Sequence, residues 1–302
     1  VYRFHLTPAD LAQVRFAVDP LWECVASVRV LAEPGRHAVH YPWACEAREA
    51  VRGLDLAPLR ALLGDAPCPP HLLAPPPEEP EPSIGGQLAR LRDLPALAPL
   101  AGLLEAYWER AVAPHWPRFH AVLEGDVLWR ARLLALDGAD GLLRDLHPQV
   151  CYADAVVRVG GRAGDRDVHP AGRGLLLVPS IFAWPDVSVA TDPAYRPTLR
   201  YVARGIAGLW LQGGAPDADS TAALGELIGG SRAGLLLRLV APMTTSEVAR
   251  RAGLTAGAAS QHLTALAAAG LLQRTRVGRR VYYQRSARCE RVLAALAAED
   301  DA

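Results

Sequence analysis

Residues 244–285, TTSEVARRAGLTAGAASQHLTALAAAGLLQRTRVGRRVYYQR, constrain the fold more than any other stretch of the chain. Two short helical periodicities flank a tight turn, and an alternating, arginine-rich segment follows. Thr244, Thr245 and Ser246 are helix-capping residue types, and Glu247 stands in the first turn, where the helix dipole favours an acid. Val248 and Ala249 fall on the inward side, with Arg250 and Arg251 outward near the C-terminal end. Gly253 supplies the stop, because glycine enters the left-handed region at little cost. Thr255 caps a second helix that runs to about Ala269 and is ended by Gly270. Ala259, Leu263, Leu266 and Leu271 follow helical spacing on its packed side. Ala256, Gly257, Ser260, Gln261 and Thr264 lie on the opposite side, small and polar. Leu272 to Arg276 and Arg280 to Gln284 then predict two strands around Val277, Gly278 and Arg279, with Gly278 at positive φ. This is the layout of a winged helix-turn-helix, in which a small polar helix face enters the major groove of DNA. Arginines at a hairpin tip suit phosphate oxygens and a narrow minor groove.

Charge is distributed accordingly. The 302 residues balance 32 basic against 32 acidic side chains. Between Ser231 and Arg291, however, eleven arginines face only Glu247 and Glu290, a net of +9 that leaves −9 for the rest of the chain. One strongly basic module in a neutral chain is the footprint that phosphate binding needs. A solvated hairpin, or a winged domain reused for protein contacts, is the blander reading; spacing, caps and charge together favour DNA.

The stretch RAGLLLRLVAPMTTSEVARRAGLTAGAASQHLTALAAAGLL, with RVGRRVYYQRS after it, resembles the ArsR-type winged-helix repressors, most specifically at Ser260, Gln261, His262 and Leu263. The resemblance covers about the last quarter of the chain. It implies a homodimeric transcription regulator, usually a repressor, that reads an inverted repeat. By this resemblance Ser260 and Gln261 would reach base edges, while Arg276, Arg279 and Arg280 would hold the DNA backbone. Gln261 is the better candidate for specificity, since an amide pairs bidentately with adenine; His262 reads as a packed residue. The full candidate DNA-contacting set is Thr245, Ser246, Thr255, Ala256, Gly257, Ser260, Gln261, Thr264, Arg276, Arg279 and Arg280. Metal-sensing members of the family carry a cysteine pair in the first helix, or histidine and acidic ligands on the terminal one. Here SEVARRAGL has neither, and the segment from Ala287 to Ala298 offers only Cys289 and Glu290. A metal site needs three or four convergent ligands, so no metal or cofactor is expected. Ala259 stands where the family commonly has a larger aliphatic residue, which predicts looser packing there.

The rest of the chain sets the frame. Its length allows about two domains, and 51% apolar residues are ample for a core. No apolar run approaches the roughly 18 residues needed to cross a membrane, and VYRFHLTPADLAQVRF lacks a charged-then-apolar signal pattern. Cys24, Cys45, Cys68, Cys151 and Cys289 are scattered singly, which suits a reducing compartment. A cytoplasmic protein is expected. Lysine and asparagine are both absent, which reads as codon bias of a GC-rich, bacterial genome.

The expected fold class is α+β: a helix-rich N-terminal domain over 1–212 with a small antiparallel sheet, followed by a winged helix-turn-helix over 220–302. Thr7 and Pro8 start a helix that runs to about Val18, and Asp19-Pro20 starts another to about Leu31. Residues 66–82, APCPPHLLAPPPEEPEP, predict an extended surface loop. Residues 84–146 look helical throughout, interrupted by Pro114 and Pro117. From Val150 to about Gly205 the pattern changes to strands at CYADAVVRV, GLLLVPSIFAW, DVSVA and TLRYVA. VGGRAGD at 159–165 mimics a phosphate loop, but the proline and glycine after it forbid the helix such a loop must feed, so a hairpin turn is expected. A linker follows at 213–220.

DPLWECVASVRVL, AYWERAVAPHWPRFHAVLEGDV, GLLLVPSIFAWPDV and DPAYRPTLRYVARG resemble an uncharacterised domain found ahead of ArsR-type winged helices in actinobacterial regulators, over most of residues 1–210. That domain brings no catalytic residues with it. His115 and His120 flank Pro117, so their mutual geometry is undefined, and neither a G-x-S-x-G nor paired carboxylates occur; an enzyme is not expected. Six tryptophans fall in this part and a seventh, Trp210, at its end, mostly as core. Trp108 and Trp116 on either side of the helix break, with Trp184 after an apolar strand, form the candidate pocket for a small organic effector. The expected partners are double-stranded DNA, a second copy of the chain and that effector, with no membrane. The alternative is a ligand-sensing or scaffold protein whose winged helix contacts protein.

Overall fold

The computed structural model describes residues 1–302 except 64–72, 145, 161–164, 184, 207–208, 210–223, 240–242, 278–279, 287, 290–291 and 294–302. It divides into two compact units, Val1–Ala32 with Glu46–Gly205, and Glu33–Cys45 with Ile206–Ala302. The expected limits at 212 and 220, and the linker between them, lie outside the described residues.

The first unit is mixed helix and sheet, as the α+β class requires. Its single expected antiparallel sheet is in fact two four-stranded sheets, one with a single parallel pair and the other with two. In one, β1 (Tyr2–His5) lies between β4 (Val156–Val159), antiparallel to it, and β5 (Arg166–Val168), parallel to it, with β3 (Val150–Ala153) outside β4. The other places β2 (Arg15–Phe16), β6 (Leu176–Ser180) and β8 (Thr198–Val202) side by side in parallel, and β7 (Ser188–Ala190) runs antiparallel along β8. All five residues of β6 are buried, as expected of an interior strand covered on both faces. Phe4, Val157, Leu177, Leu199 and Tyr201 from the two sheets share one core with Leu142 and Leu143.

Several local expectations change, each for a legible reason. CYADAVVRV is not one strand but the β3–β4 hairpin, because Asp154 and Ala155 both take positive φ (53° and 58°), the two-residue turn that matches strand twist. Of VGGRAGD, residues 161–164 lie outside the described residues; β4 and β5 on either side of it are not neighbours in the sheet, because β1 lies between them. The first helix, α1 (Pro8–Ala12), starts at Thr7 with a capping box to Asp10, but stops well before Val18. Residues from Arg15 onward are drawn into β2, where Arg15 N–H donates to Leu175 O and Ala17 N–H to Leu177 O.

The helices follow. α2 (Pro20–Ala32) is buried on nearly every side, the mark of a central helix. α3 (Tyr41–Ala50), whose residues up to Cys45 group with the second unit, α4 (Ala57–Leu63), α5 (Ile84–Arg92) and α6 (Ala98–Tyr107) come next. The expected break is present: Trp108–Val112 widens into a π turn, Ala113–His115 tightens into a 3₁₀ turn, and α7 (Trp116–Arg144) then begins. Pro114 and Pro117 lack the N–H that an uninterrupted helix needs. α7 is itself kinked at Gly138 (φ 66°, ψ −159°), a conformation only glycine adopts readily. No helix among the described residues is long and apolar enough to cross a membrane.

A buried polar network joins α2 to the second sheet. Trp22 Nε1 donates to Ser180 Oγ (3.0 Å), and the Glu23 carboxyl accepts the backbone N–H groups of Ile181 (3.1 Å) and Phe182 (3.2 Å). Asp19 Oδ1 accepts from Trp22 N (3.0 Å) and Gln87 Nε2 (2.9 Å). Asp19 Oδ2 pairs with Arg200 Nη2 at 3.4 Å, and the Arg200 guanidinium lies 4.3 Å from the Trp22 ring centroid. Burial pushes the Glu23 carboxyl up to about 8, against the pull of its donors. A carboxyl that binds its proton more tightly when folded stabilises most at low pH, and that contribution is lost as pH rises from the ordinary carboxylate value toward 8. Chemical denaturation should therefore show stability falling by at most about 1.4 kcal/mol per pH unit in that window from this group. Glu23→Gln should flatten the dependence; an unchanged slope would mean that Glu23 stays ionised in the fold.

Candidate nucleic-acid interface

The second unit contains α8 (Gly230–Arg238), β9 (Met243–Thr244), α9 (Thr245–Ala252), α10 (Ala256–Ala268), β10 (Leu272–Val277) and β11 (Arg280–Arg285). Each boundary has a local cause. Thr244 Oγ1 accepts from Glu247 N (3.3 Å) while the Glu247 carboxylate accepts from Thr244 N (2.8 Å), a reciprocal capping box at the start of α9. Gly253 ends α9 at φ 65°, and Leu254 N–H closes back on Ala249 O (2.9 Å). Thr255 Oγ1 then accepts from Ala258 N (3.2 Å), so only three residues separate α9 and α10. Gly270 closes α10 in the same manner, with Leu271 N–H on Leu266 O (2.9 Å).

Val248, Ala249, Ala259, Leu263, Leu266 and Leu272 are buried in one core with Leu235 and Leu236 of α8. Ala259 is 0% exposed, so the small residue sits fully inside that core. With this side of α10 committed to packing, Ala256, Gly257, Ser260, Gln261 and Thr264 emerge on the other side, all exposed. Thr255 and Ser246 are exposed too, and Thr245 is partly buried at the first turn of α9. His262 is partly buried beside the packed side. The result is a continuous strip of small and polar side chains, three helical steps long, on a helix docked against a second one.

The hairpin pairs Leu272 with Arg285 through to Val277 with Arg280, so Val277 is the last residue of its strand rather than part of the turn. Gly278 and Arg279 lie outside the described residues. Arg274 and Arg276 are exposed on β10, and Arg280 opens β11. Arg285 behaves differently: its Nε donates to Leu236 O (2.8 Å) and its Nη2 to Leu237 O (2.6 Å), capping the C-terminal carbonyls of α8.

Two parts of this unit carry no sequence signal. β9 adds a third strand by pairing Thr244 with Tyr282 and Met243 with Tyr283, but two residues are too few to show alternation. The segment Glu33–Cys45, far away in sequence, groups with this unit, and Gln284 Nε2 donates to Arg36 O (3.4 Å). Of the tryptophans proposed as an effector pocket, Trp108 is buried (8% exposed) and its ring packs 5.0 Å from that of Trp116. Trp184 lies outside the described residues.

Comparison with known proteins agrees with this geometry. Residues 222–275 match the helix-turn-helix domain family, and residues 91–207 match a family of unknown function (DUF5937). No curated protein and no solved structure matches the chain. The second unit is thus a helix-turn-helix domain, the module of DNA-binding transcription regulators, and it follows a domain to which no function is attached.

Proposed function

We propose that this chain is a sequence-specific transcription regulator of the ArsR type, acting as a homodimer on an inverted repeat, usually as a repressor, in the cytoplasm. It has no catalytic role in this reading; the first unit senses a small organic effector, whose binding changes the spacing of the two recognition helices. The observation that carries the proposal is the exposed strip Ala256–Gly257–Ser260–Gln261–Thr264 on a capped, packed helix inside a region of net charge +9. A groove-inserted helix needs small and polar residues there, and phosphate contacts need the surrounding charge. Loss of DNA affinity on effector binding requires only that the effector favour one of two states.

Gly257 supports the same reading. A Cβ placed on it would meet nothing within 4 Å, so the fold itself does not require glycine there. In this reading, close approach of the DNA backbone is what favours glycine there. Gly257→Ala should raise stability by up to about 1 kcal/mol while weakening DNA binding several-fold. Unchanged binding would take position 257 out of the interface.

The deciding measurement is fluorescence anisotropy with DNA from upstream of the coding region, against a shuffled control, across a salt series. Tight, sequence-dependent and salt-sensitive binding supports a specific regulator. Absence of binding to either DNA at low salt would overturn it in favour of a protein-contact module.

A further inference from the structure

The first unit contains a cleft of about 800 Å³ between α7 and the end of β8. That lies within the usual size range of small-molecule sites. Trp129, Leu133 and Asp137 form one wall, spaced four residues apart along one face of α7. Beyond the Gly138 kink the chain folds back so closely that a Cβ on Gly141 would stand 2.3 Å from that of Asp137. This brings Asp140 and Arg144 into the same cleft. The opposite wall ends at Arg204, whose backbone N–H donates to the buried Asp126 carboxylate (3.0 Å). Tyr201 OH donates to the same carboxylate (2.6 Å), so the strand end is firmly held.

The charges of this cleft are balanced but not all paired. Arg130 is paired with Asp126 at 3.8 Å, and Arg144 with Asp140. Arg204 and Asp137 are exposed, and neither has an ionic partner among the described residues. The Arg204 guanidinium lies 4.1 Å from the Trp129 ring centroid, and Trp129 is 42% exposed rather than packed away. A guanidinium resting on an aromatic face keeps its in-plane N–H donors for a carboxylate. Trp129, Leu133 and Val202 supply apolar surface in the same cleft.

We propose that this cleft binds an aromatic amino acid or a close analogue, with its carboxylate on Arg204, its ammonium on Asp137 and its ring against Trp129. An anion would leave Asp137 unanswered, and a cation would leave Arg204 so; a zwitterion satisfies both. The ligand class deepens, and rests on, the reading of the first unit as a sensor. The cleft replaces the Trp108–Trp116 pair as its location.

Isothermal titration of the full chain with L-phenylalanine, L-tyrosine and L-tryptophan tests it, with phenethylamine and 3-phenylpropionate as probes lacking one charge. At least one amino acid should bind saturably, and its truncated counterparts about tenfold more weakly. Arg204→Gln should reduce L-phenylalanine to the level of phenethylamine while leaving phenethylamine itself unchanged. Asp137→Asn should do the converse with 3-phenylpropionate. Both side chains are exposed, so both variants keep the fold. No binding of any of the three amino acids, or variants that bind as the parent does, would overturn the proposal. DNA anisotropy with and without the bound amino acid separates the two readings. DNA binding without an amino-acid site removes only the cleft, whereas an amino-acid site without DNA binding removes only the regulator.

Discussion

Replacing Arg276 and Arg280 together by alanine should weaken binding to every DNA sequence alike and flatten the plot of log affinity against log salt by about two units. Each arginine on a phosphate displaces close to one condensed counterion, so losing two contacts removes about two from the slope. Between about 50 and 200 mM salt the advantage of the parent protein should shrink by roughly tenfold. Arg276 pairs with Val281 and Arg280 with Val277 at the end of the hairpin, and Arg276 is exposed. The fold should therefore survive the change, which a thermal melt of the variant checks. Gln261→Ala should act in the opposite sense: a nearly unchanged slope, with discrimination between operator variants reduced by about 1–3 kcal/mol at the base it reads. An arginine pair that leaves the slope untouched would show that the hairpin does not touch phosphate.

Arg200→Leu should lower the stability of the first unit by about 3–5 kcal/mol. Arg200 is 0% exposed and Asp19 only 1%. Removing the guanidinium leaves a buried carboxylate with Gln87 and a backbone N–H as its remaining donors. It also strips a flat cation from the face of Trp22, and it deprives Ala74 O of its 2.9 Å donor. A loss of that size is a large fraction of the stability of an ordinary domain. Urea denaturation of the single variant, beside the Asp19→Asn/Arg200→Leu double variant, separates the causes. If the uncompensated charge dominates, the double variant should recover a substantial part; if lost packing dominates, it should not.

What the sequence revealed, and what it hid, divides along the range of the forces involved. The helix-turn-helix was legible almost residue by residue, because Thr244 with Glu247, Gly253, Thr255 and Gly270 act within one turn of chain. So were the exposed strip of α10 and the proline break before α7. Signals that depend on distant partners were not. Arg15 and Phe16 read as the end of a helix because nothing nearby says that Leu176 and Leu177 will pair with them. β1 went unnoticed for the same reason: its neighbours come from residues 156–159 and 166–168. The buried ion pair spans residues 19 and 200, and no periodicity announces it. Arg285 is one more arginine of the basic region in sequence, and only the fold commits its guanidinium to the carbonyls of Leu236 and Leu237. Counting tryptophans located aromatic residues without distinguishing a packed pair, Trp108 with Trp116, from one left open at a cleft, Trp129.

The chain passes from one unit to the other three times: after Ala32, after Cys45 and after Gly205. A module tethered at one end can be lifted out of its gene and joined to another. This one cannot be cut out at a single point, because thirteen of its residues are encoded about 160 codons upstream of the rest. A fragment beginning near residue 206 would lack the backbone that Gln284 bonds to at Arg36. It would expose a flank of β11 that the whole protein covers. Inheritance of the second unit is thereby tied to inheritance of the first, and domain shuffling at one linear boundary would divide it.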